Sequence, residues 1–269
     1  MSLDRKFLEY PQRRHGMDHD RYAWSMLAQR EPGLTLSVAS SQKGAKLDAL
    51  LQTLRGLGVQ VHGFTGDVTK PEQAQGIVRQ AIEAGGDLDA LVCVAGASGP
   101  GKLADLPVEQ WDLTFNLNTR SVFLMAQAAY ASLKRTRGSI TAIASMSGLH
   151  PHPGYGGYSP AKAALIMLCR QLAQEWGPEG IRANTVCPGM VRTPLTEAVY
   201  QDADTTSRRE ALVPMGRIGR PEDIGHAVHY LIGQGASYVN GQNLVVDGGV
   251  ADHMLTMIPG RPGKPPVKG

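Results

Sequence analysis

The chain has 269 residues, 42% of them hydrophobic, which suits one sizeable α/β domain and leaves two full domains cramped. Its 27 basic and 24 acidic residues give a formal charge of +3, without the one-sided field expected of a partner for nucleic acid or a membrane surface. No apolar run reaches the roughly 20 residues of a membrane span, and the first residues lack a signal-peptide core, so a cytoplasmic protein is expected.

From residue 34 onward, short β-rich runs alternate with longer helical periods. "LTLSVAS" reads as a strand, and "KGAKLDALLQTLRGLG" as a helix that stops at Gly58. "VQVHGFTGD" is the next strand, and "PEQAQGIVRQAIEAGG" a helix with proline in its first turn, where a missing N–H costs little. "LDALVCVAG" reads as a buried strand, followed by one long helical tract over 107–135 and the strand "GSITAIAS". The helix "SPAKAALIMLCRQLAQEW", the strand "IRANTVC", the helix "PEDIGHAVHYLIG" and the strand "QNLVVDGG" complete the order. Such βαβα alternation predicts a doubly wound parallel sheet with helices on both faces, over residues 34–258. Residues 1–33 form a separate, atypical segment, and the Pro/Gly/Lys-rich stretch 259–269 reads as an extended tail. The three cysteines, Cys93, Cys169 and Cys187, sit far apart in apolar stretches without metal-ligand spacing, and are expected to be reduced core thiols.

Chemistry concentrates in "SMSGLHPHPGYGGYSPAKAAL". Tyr158 and Lys162 are four positions apart at the start of a predicted helix, so they share a face. A free phenol titrates near pH ~10, and an adjacent ammonium favours the phenolate, so such a pair can exchange a proton with an alcohol or carbonyl oxygen. The spacing alone equally fits a packing aromatic beside a solvated lysine. Ser145 ends the strand "GSITAIAS", 13 residues before Tyr158, and Asn118 lies in "WDLTFNLNTRSVFLMAQAA".

With Asn, Ser, Tyr and Lys in that order and spacing, the sequence resembles the classical short-chain dehydrogenase/reductase family from about residue 34 to about 250. The resemblance implies a Rossmann-like fold and hydride transfer between NAD(P)(H) and a small-molecule alcohol or carbonyl compound. By motif match, Tyr158 is the general acid/base and Ser145 hydrogen-bonds the reacting oxygen. Asn118 holds a water in a proton relay, and Lys162 lowers the tyrosine pKa and binds the nicotinamide ribose. Counting from Trp111 favours Asn118 over its neighbour Asn116. Asp67 and Val68 in "TGDVT" resemble the family's adenine-contacting pair. Pro188, Gly189, Val191 and Thr193 in "VCPGMVRTPL" resemble the segment that shapes the nicotinamide pocket. Taken singly, an Asp after a strand also fits a helix cap, and Pro-Gly an ordinary turn.

The departures fall on the cofactor side. The family's NNAG is Cys93-Val94-Ala95-Gly96, which leaves Ala95 and Gly96 as the matching pair. The glycine-rich turn TGxxxGxG, which lets backbone approach a pyrophosphate, is missing: the region offers only Gly16, with Asp18 following and Arg13, Arg14 and Arg21 nearby. "KFLEYPQ" is expected to make a poor central strand, because Glu9 and Pro11 oppose burial in a full ladder. Residues 10–27 resemble the opening of some polysaccharide-deacetylase-family proteins, without any catalytic motif of that family. His15, Asp18, His19 and Asp20 lack a recognisable ligand set, and no metal is expected.

Ser41 and Gln42 stand where NAD-preferring relatives carry an acidic residue, and Lys43 follows, which leans the cofactor toward NADP(H) over NAD(H). Residues 194–215 occupy the place of the family's substrate loop, and helices 107–135 and 159–176 correspond to those that join subunits, implying a homodimer or homotetramer. A noncatalytic binding or regulatory protein with the same shell is the alternative.

Overall fold

The computed structural model describes residues 6–10, 34–41, 44–193 and 196–253. Seven strands form one parallel sheet: β1 (Lys6–Tyr10), β2 (Thr35–Ser40), β3 (Gln60–Thr65), β4 (Ala90–Cys93), β5 (Ser139–Ile143), β6 (Arg182–Pro188) and β7 (Asn243–Val246), in the order β3-β2-β1-β4-β5-β6-β7. Each strand in the predicted series appears, within three residues of its expected ends.

β2 and β4 are buried along their whole lengths. Their side chains alternate between two cores: Leu36, Val38, Ala90 and Val92 face one, Ala39, Leu91 and Cys93 the other. The first core is covered by α2 (Pro71–Gly85), α4 (Ser121–Thr136) and α5 (Tyr158–Trp176), the second by α1 (Ala45–Gly56) and α8 (Pro221–Ile232). α2 shows why these helices dock: Pro71 starts it, and Ala74, Ile77, Val78 and Ala81 recur at i, i+3, i+4 and i+7, one apolar stripe on an otherwise polar helix.

Two expectations are corrected. Lys6–Tyr10 does lie in the middle of the sheet, with Phe7 opposite Leu36 on one side and Ala90 on the other. Both neighbours are fully buried strands, and a gap between them would leave two rows of backbone N–H and C=O groups unpaired. The described strand runs from Lys6 to Tyr10, and Pro11 lies outside the described residues. The tract 107–135 is not one helix. It comprises α3 (Val108–Phe115), a π-turn over Asn116–Arg120, and α4, with the π-turn falling on Asn118. α6 (Glu197–Tyr200) and α7 (Ala203–Leu212) form the segment read from sequence as a substrate loop.

Candidate active site

The chain runs β1 to β2 to β3 in one direction and then crosses back to place β4 on the other side of β1. Ligands of open α/β sheets sit at the carboxyl ends of the strands beside such a reversal. There the structure has a cavity of about 300 Å³, walled by the ends of β4, β5 and β6, the start of α5, and α8.

Tyr158, Lys162 and Ser145 all line it. Tyr158 is the first residue of α5, and Lys162 sits one turn later with its Nζ 5.8 Å from the Tyr158 ring centroid. Lys162 is 3% exposed and donates to the Ile143 carbonyl at 2.7 Å, which ties α5 to the end of β5. Burial pushes its ammonium down to about 8. Burial likewise raises Tyr158, and a hydrogen bond with Ser145 opposes that rise. Cys187 and Tyr155 add to the rise. Ser145 lies just past β5 in extended conformation, and its Oγ accepts the Ser147 N–H at 3.1 Å.

Asn118 is fully buried in the π-turn. A π-turn inserts one residue into a helix and is often found at functional sites. The Asn118 amide donates to the carbonyls of Ala97 and Thr114, both at 2.9 Å, joining the loop after β4 to α3. Its Oδ1 has no partner among the described residues. Thr119 extends the same junction by donating to the Ala161 carbonyl of α5 at 2.7 Å. Gly96 closes this corner: a Cβ there would fall 2.5 Å from Asn118 Oδ1 and 2.9 Å from Lys162 Nζ. Gly96→Ala is therefore expected to displace both groups and lower turnover by about a hundredfold. Steady-state kinetics beside circular dichroism would check this, and unchanged turnover in a folded variant would count against the corner.

Gly96, Pro188, Gly189, Val191 and Thr193 line the same cavity, so this part of the predicted cofactor set converges with Tyr158 and Lys162. A Cβ on Gly189 would meet Asp247 at 2.5 Å, which explains the glycine there by close approach of two backbones. The close-packed wall of Gly96, Pro188, Gly189 and Val191 beside Lys162 suits a flat ring such as nicotinamide, whose chemistry when bound would be to accept or deliver hydride. Ala95 is buried beside this corner. Ser41 and Asp67 lie at the same edge of the sheet, just past β2 and β3, but do not line the cavity. Asp67 Oδ1 accepts the N–H and hydroxyl of Thr69 in a local turn and does not cap α2, whose N-cap Lys70 has no side-chain bond, and Val68 is a core residue. Gln42, Lys43, Arg13, Arg14, Gly16, Arg21, the His15–Asp20 group and the tail 259–269 lie outside the described residues.

Sequence reasoning missed His152, Tyr155, Tyr200 and Arg209, which also line the cavity. His152 and Tyr155 stand in the quoted "HPHPGYGGY", whose abundance of aromatic and imidazole groups was a usable signal. Their rings stack at 3.7 Å, and Ser147 Oγ lies 3.0 Å from His152 Nδ1. Tyr200 and Arg209 come from the substrate-loop helices, where composition alone gave no direction.

A family model described as Enoyl-(Acyl carrier protein) reductase matches residues 27–251. Dehydrogenase/reductase SDR family member 4 of Homo sapiens is 33% identical over 220 residues, covering 81% of this chain and 79% of that protein. 2-(S)-Hydroxypropyl-CoM dehydrogenase 3 of Xanthobacter autotrophicus is 35% identical over 234 residues, covering 81% of this chain and 91% of that one. The solved structure of a short-chain type dehydrogenase/reductase from Mycobacterium marinum superposes with a TM-score of 0.81 at 30% identity, covering 93% of this chain and 96% of that one. The noncatalytic alternative is thereby set aside, and the chain belongs to the short-chain dehydrogenase/reductase family as an NAD(P)-dependent oxidoreductase.

Proposed function

We propose that Tyr158 is the general acid/base for hydride transfer between a nicotinamide dinucleotide and an alcohol or carbonyl compound. In reduction the Tyr158 hydroxyl gives its proton to the carbonyl oxygen as hydride arrives at the carbonyl carbon, and in oxidation the Tyr158 phenolate takes the hydroxyl proton as hydride leaves the carbon that bears that hydroxyl. Ser145 hydrogen-bonds that oxygen, Asn118 holds a relay water, and Lys162 binds the nicotinamide ribose. The observation that carries this reading is the convergence of Ser145, Tyr158 and Lys162 on one cavity, with Asn118 behind Gly96 at its corner.

Pro188, Gly189, Val191 and Thr193 are assigned to the nicotinamide, Ala95 and Gly96 to its floor, and Ser41, Asp67 and Val68 to the adenosine end. NADP(H) is the preferred cofactor in this reading, since no carboxylate stands at Ser41 to repel a 2′-phosphate. Exposed Leu113, Phe123 and Met167 on α3, α4 and α5 support a homodimer or homotetramer. The three buried cysteines support a reducing, cytoplasmic setting, and no helix among the described residues is long and apolar enough to cross a membrane. The catalytic unit is assigned to 34–258 together with the strand 6–10, leaving 259–269 as a tail.

Calorimetric titration with NADPH and NADH tests the cofactor assignment, with an Arg13→Ala/Arg14→Ala variant alongside. Micromolar NADPH affinity that exceeds that for NADH, and collapses in the variant, is expected if side chains replace the missing glycine-rich turn. Binding confined to NADH, or none at millimolar concentration, would overturn it.

A further inference from the structure

Arg209, on α7, lines the same cavity as Tyr158 and Ser145. Its guanidinium lies 5.5 Å from the ring centroid of Tyr200, and its Nη1 donates to the Tyr200 hydroxyl at 3.4 Å. Tyr200 is a firm platform, 5% exposed and packed with Val213 and Ile218. A second arginine, Arg192, lies 5.9 Å from the same ring, and the comparison between the two is informative. Both arms of the Arg192 fork are taken by Glu197, at 3.0 and 2.6 Å. Arg209 has no carboxylate partner among the described residues, although it is half-buried.

The rest of the cavity agrees in sign. Among the described residues no aspartate or glutamate lines it, and its permanently or potentially cationic members are Arg209, Lys162 and His152. Lys162 is committed to the Ile143 carbonyl. His152 is held below the ordinary imidazole range, by burial first and by the neighbouring positive charge of Arg209 second, which also places Arg209 beside the Ser147–His152–Tyr155 wall. A guanidinium with most of its five donors unspent, fixed against an aromatic ring in a partly desolvated cavity, is matched by a planar, two-oxygen anion. The dinucleotide phosphates are a poor candidate, because they belong at the β1 end of the crevice, whereas Arg209 comes from the loop beyond β6 and meets the wall that follows Ser145.

We infer that the substrate is an organic acid, an oxo or hydroxy carboxylate whose acid group seats on Arg209 while its reacting oxygen lies at Ser145 and Tyr158. This rests on the proposed assignment of Ser145 and Tyr158 as the reacting end.

The test is calorimetric titration of the enzyme, saturated with its preferred dinucleotide, with straight-chain 3-oxo acids of about four to eight carbons and with their methyl esters. For at least one chain length the acid is expected to bind about ten- to a hundredfold more tightly than the ester. Arg209→Met should abolish that preference, Arg209→Lys should retain part of it, and Arg208→Met, an exposed neighbour, should leave it intact. Equal affinity for acid and ester at every length, or failure of both to bind at millimolar concentration, overturns the inference. So does a preference that survives in Arg209→Met, or an effect of that variant on dinucleotide affinity alone. Turnover of the same compounds is read separately: reduction of esters and acids without discrimination keeps the dehydrogenase assignment and removes the acid site, whereas preferential binding of acids without turnover keeps the acid site and removes Tyr158 from its role.

Discussion

Tyr158→Phe is expected to lower kcat by about 10²–10⁴-fold while leaving the fold and dinucleotide affinity in place. The substitution removes one oxygen and keeps the ring that begins α5. What it deletes is the hydroxyl that lines the cavity with Ser145, at the point where a substrate oxygen is proposed to be protonated or deprotonated. Rapid-mixing measurement of hydride transfer, followed at the reduced nicotinamide absorbance, separates this from binding. Equal rates in variant and wild type would exclude Tyr158 as the essential acid/base, and a matched loss of rate and of thermal stability would point to a packing role instead.

Lys162→Met carries the second large effect, and it moves activity and stability in opposite directions. Turnover is expected to fall by about a hundredfold or more through loss of the ammonium that donates to the carbonyl of Ile143 and is proposed to hold the ribose. Stability of the cofactor-free protein at pH 7 is expected to rise. The folded-state value of about 8 lies below the ordinary lysine value of 10.5, so between those two pH values the unfolded chain binds more protons than the folded one. Lys162 therefore penalises folding most below pH 8, and the penalty fades as pH rises to 10.5. The stability difference between variant and wild type should shrink across that window. Burial also raises Cys169 to about 12 and raises Tyr158, which bends both curves the other way at alkaline pH; because Lys162 itself lowers Cys169, the comparison is cleanest below the ordinary thiol value of 9.0. Melting curves from pH 6 to 11 would check it, and a difference independent of pH would show that Lys162 is not a buried charge of this kind.

The fold was legible where periodicity carries the information. Ala74, Ile77, Val78 and Ala81 announce α2, and the continuous apolar runs announce β2 and β4. β1 was misjudged because Glu9 and Pro11 were weighed as single residues. Its place is set by the unpaired edges of its neighbours, which are not a property of its own sequence. The residues proposed for proton transfer were readable because the order and spacing of Asn118, Ser145, Tyr158 and Lys162 resemble those of the family. The π-turn at Asn118 was not: Asn-Leu-Asn-Thr-Arg is compatible with an ordinary helix, and only the contacts of Asn118 with Ala97 and of Thr119 with Ala161 reveal the extra residue. Arg209 was hidden for a related reason. Its meaning lies in a carboxylate it lacks while Arg192 has one, and partner choice is invisible without coordinates.

The position of β1 also sets the order in which the sheet can grow during synthesis. Phe7 pairs with Leu36 and Ala90, 29 and 83 positions further along, so the strand made first waits for partners on both sides. Once β4 emerges from the ribosome, β3-β2-β1-β4 is a contiguous half-sheet, and β5, β6 and β7 then join one at a time on the same advancing edge. Each newly made strand covers the raw edge left by the one before it, so the nascent chain has one growing edge to protect from intermolecular pairing at any moment. A block on β1 pairing would split that edge in two, and its cost would fall on yield from the ribosome before it was felt in the finished enzyme.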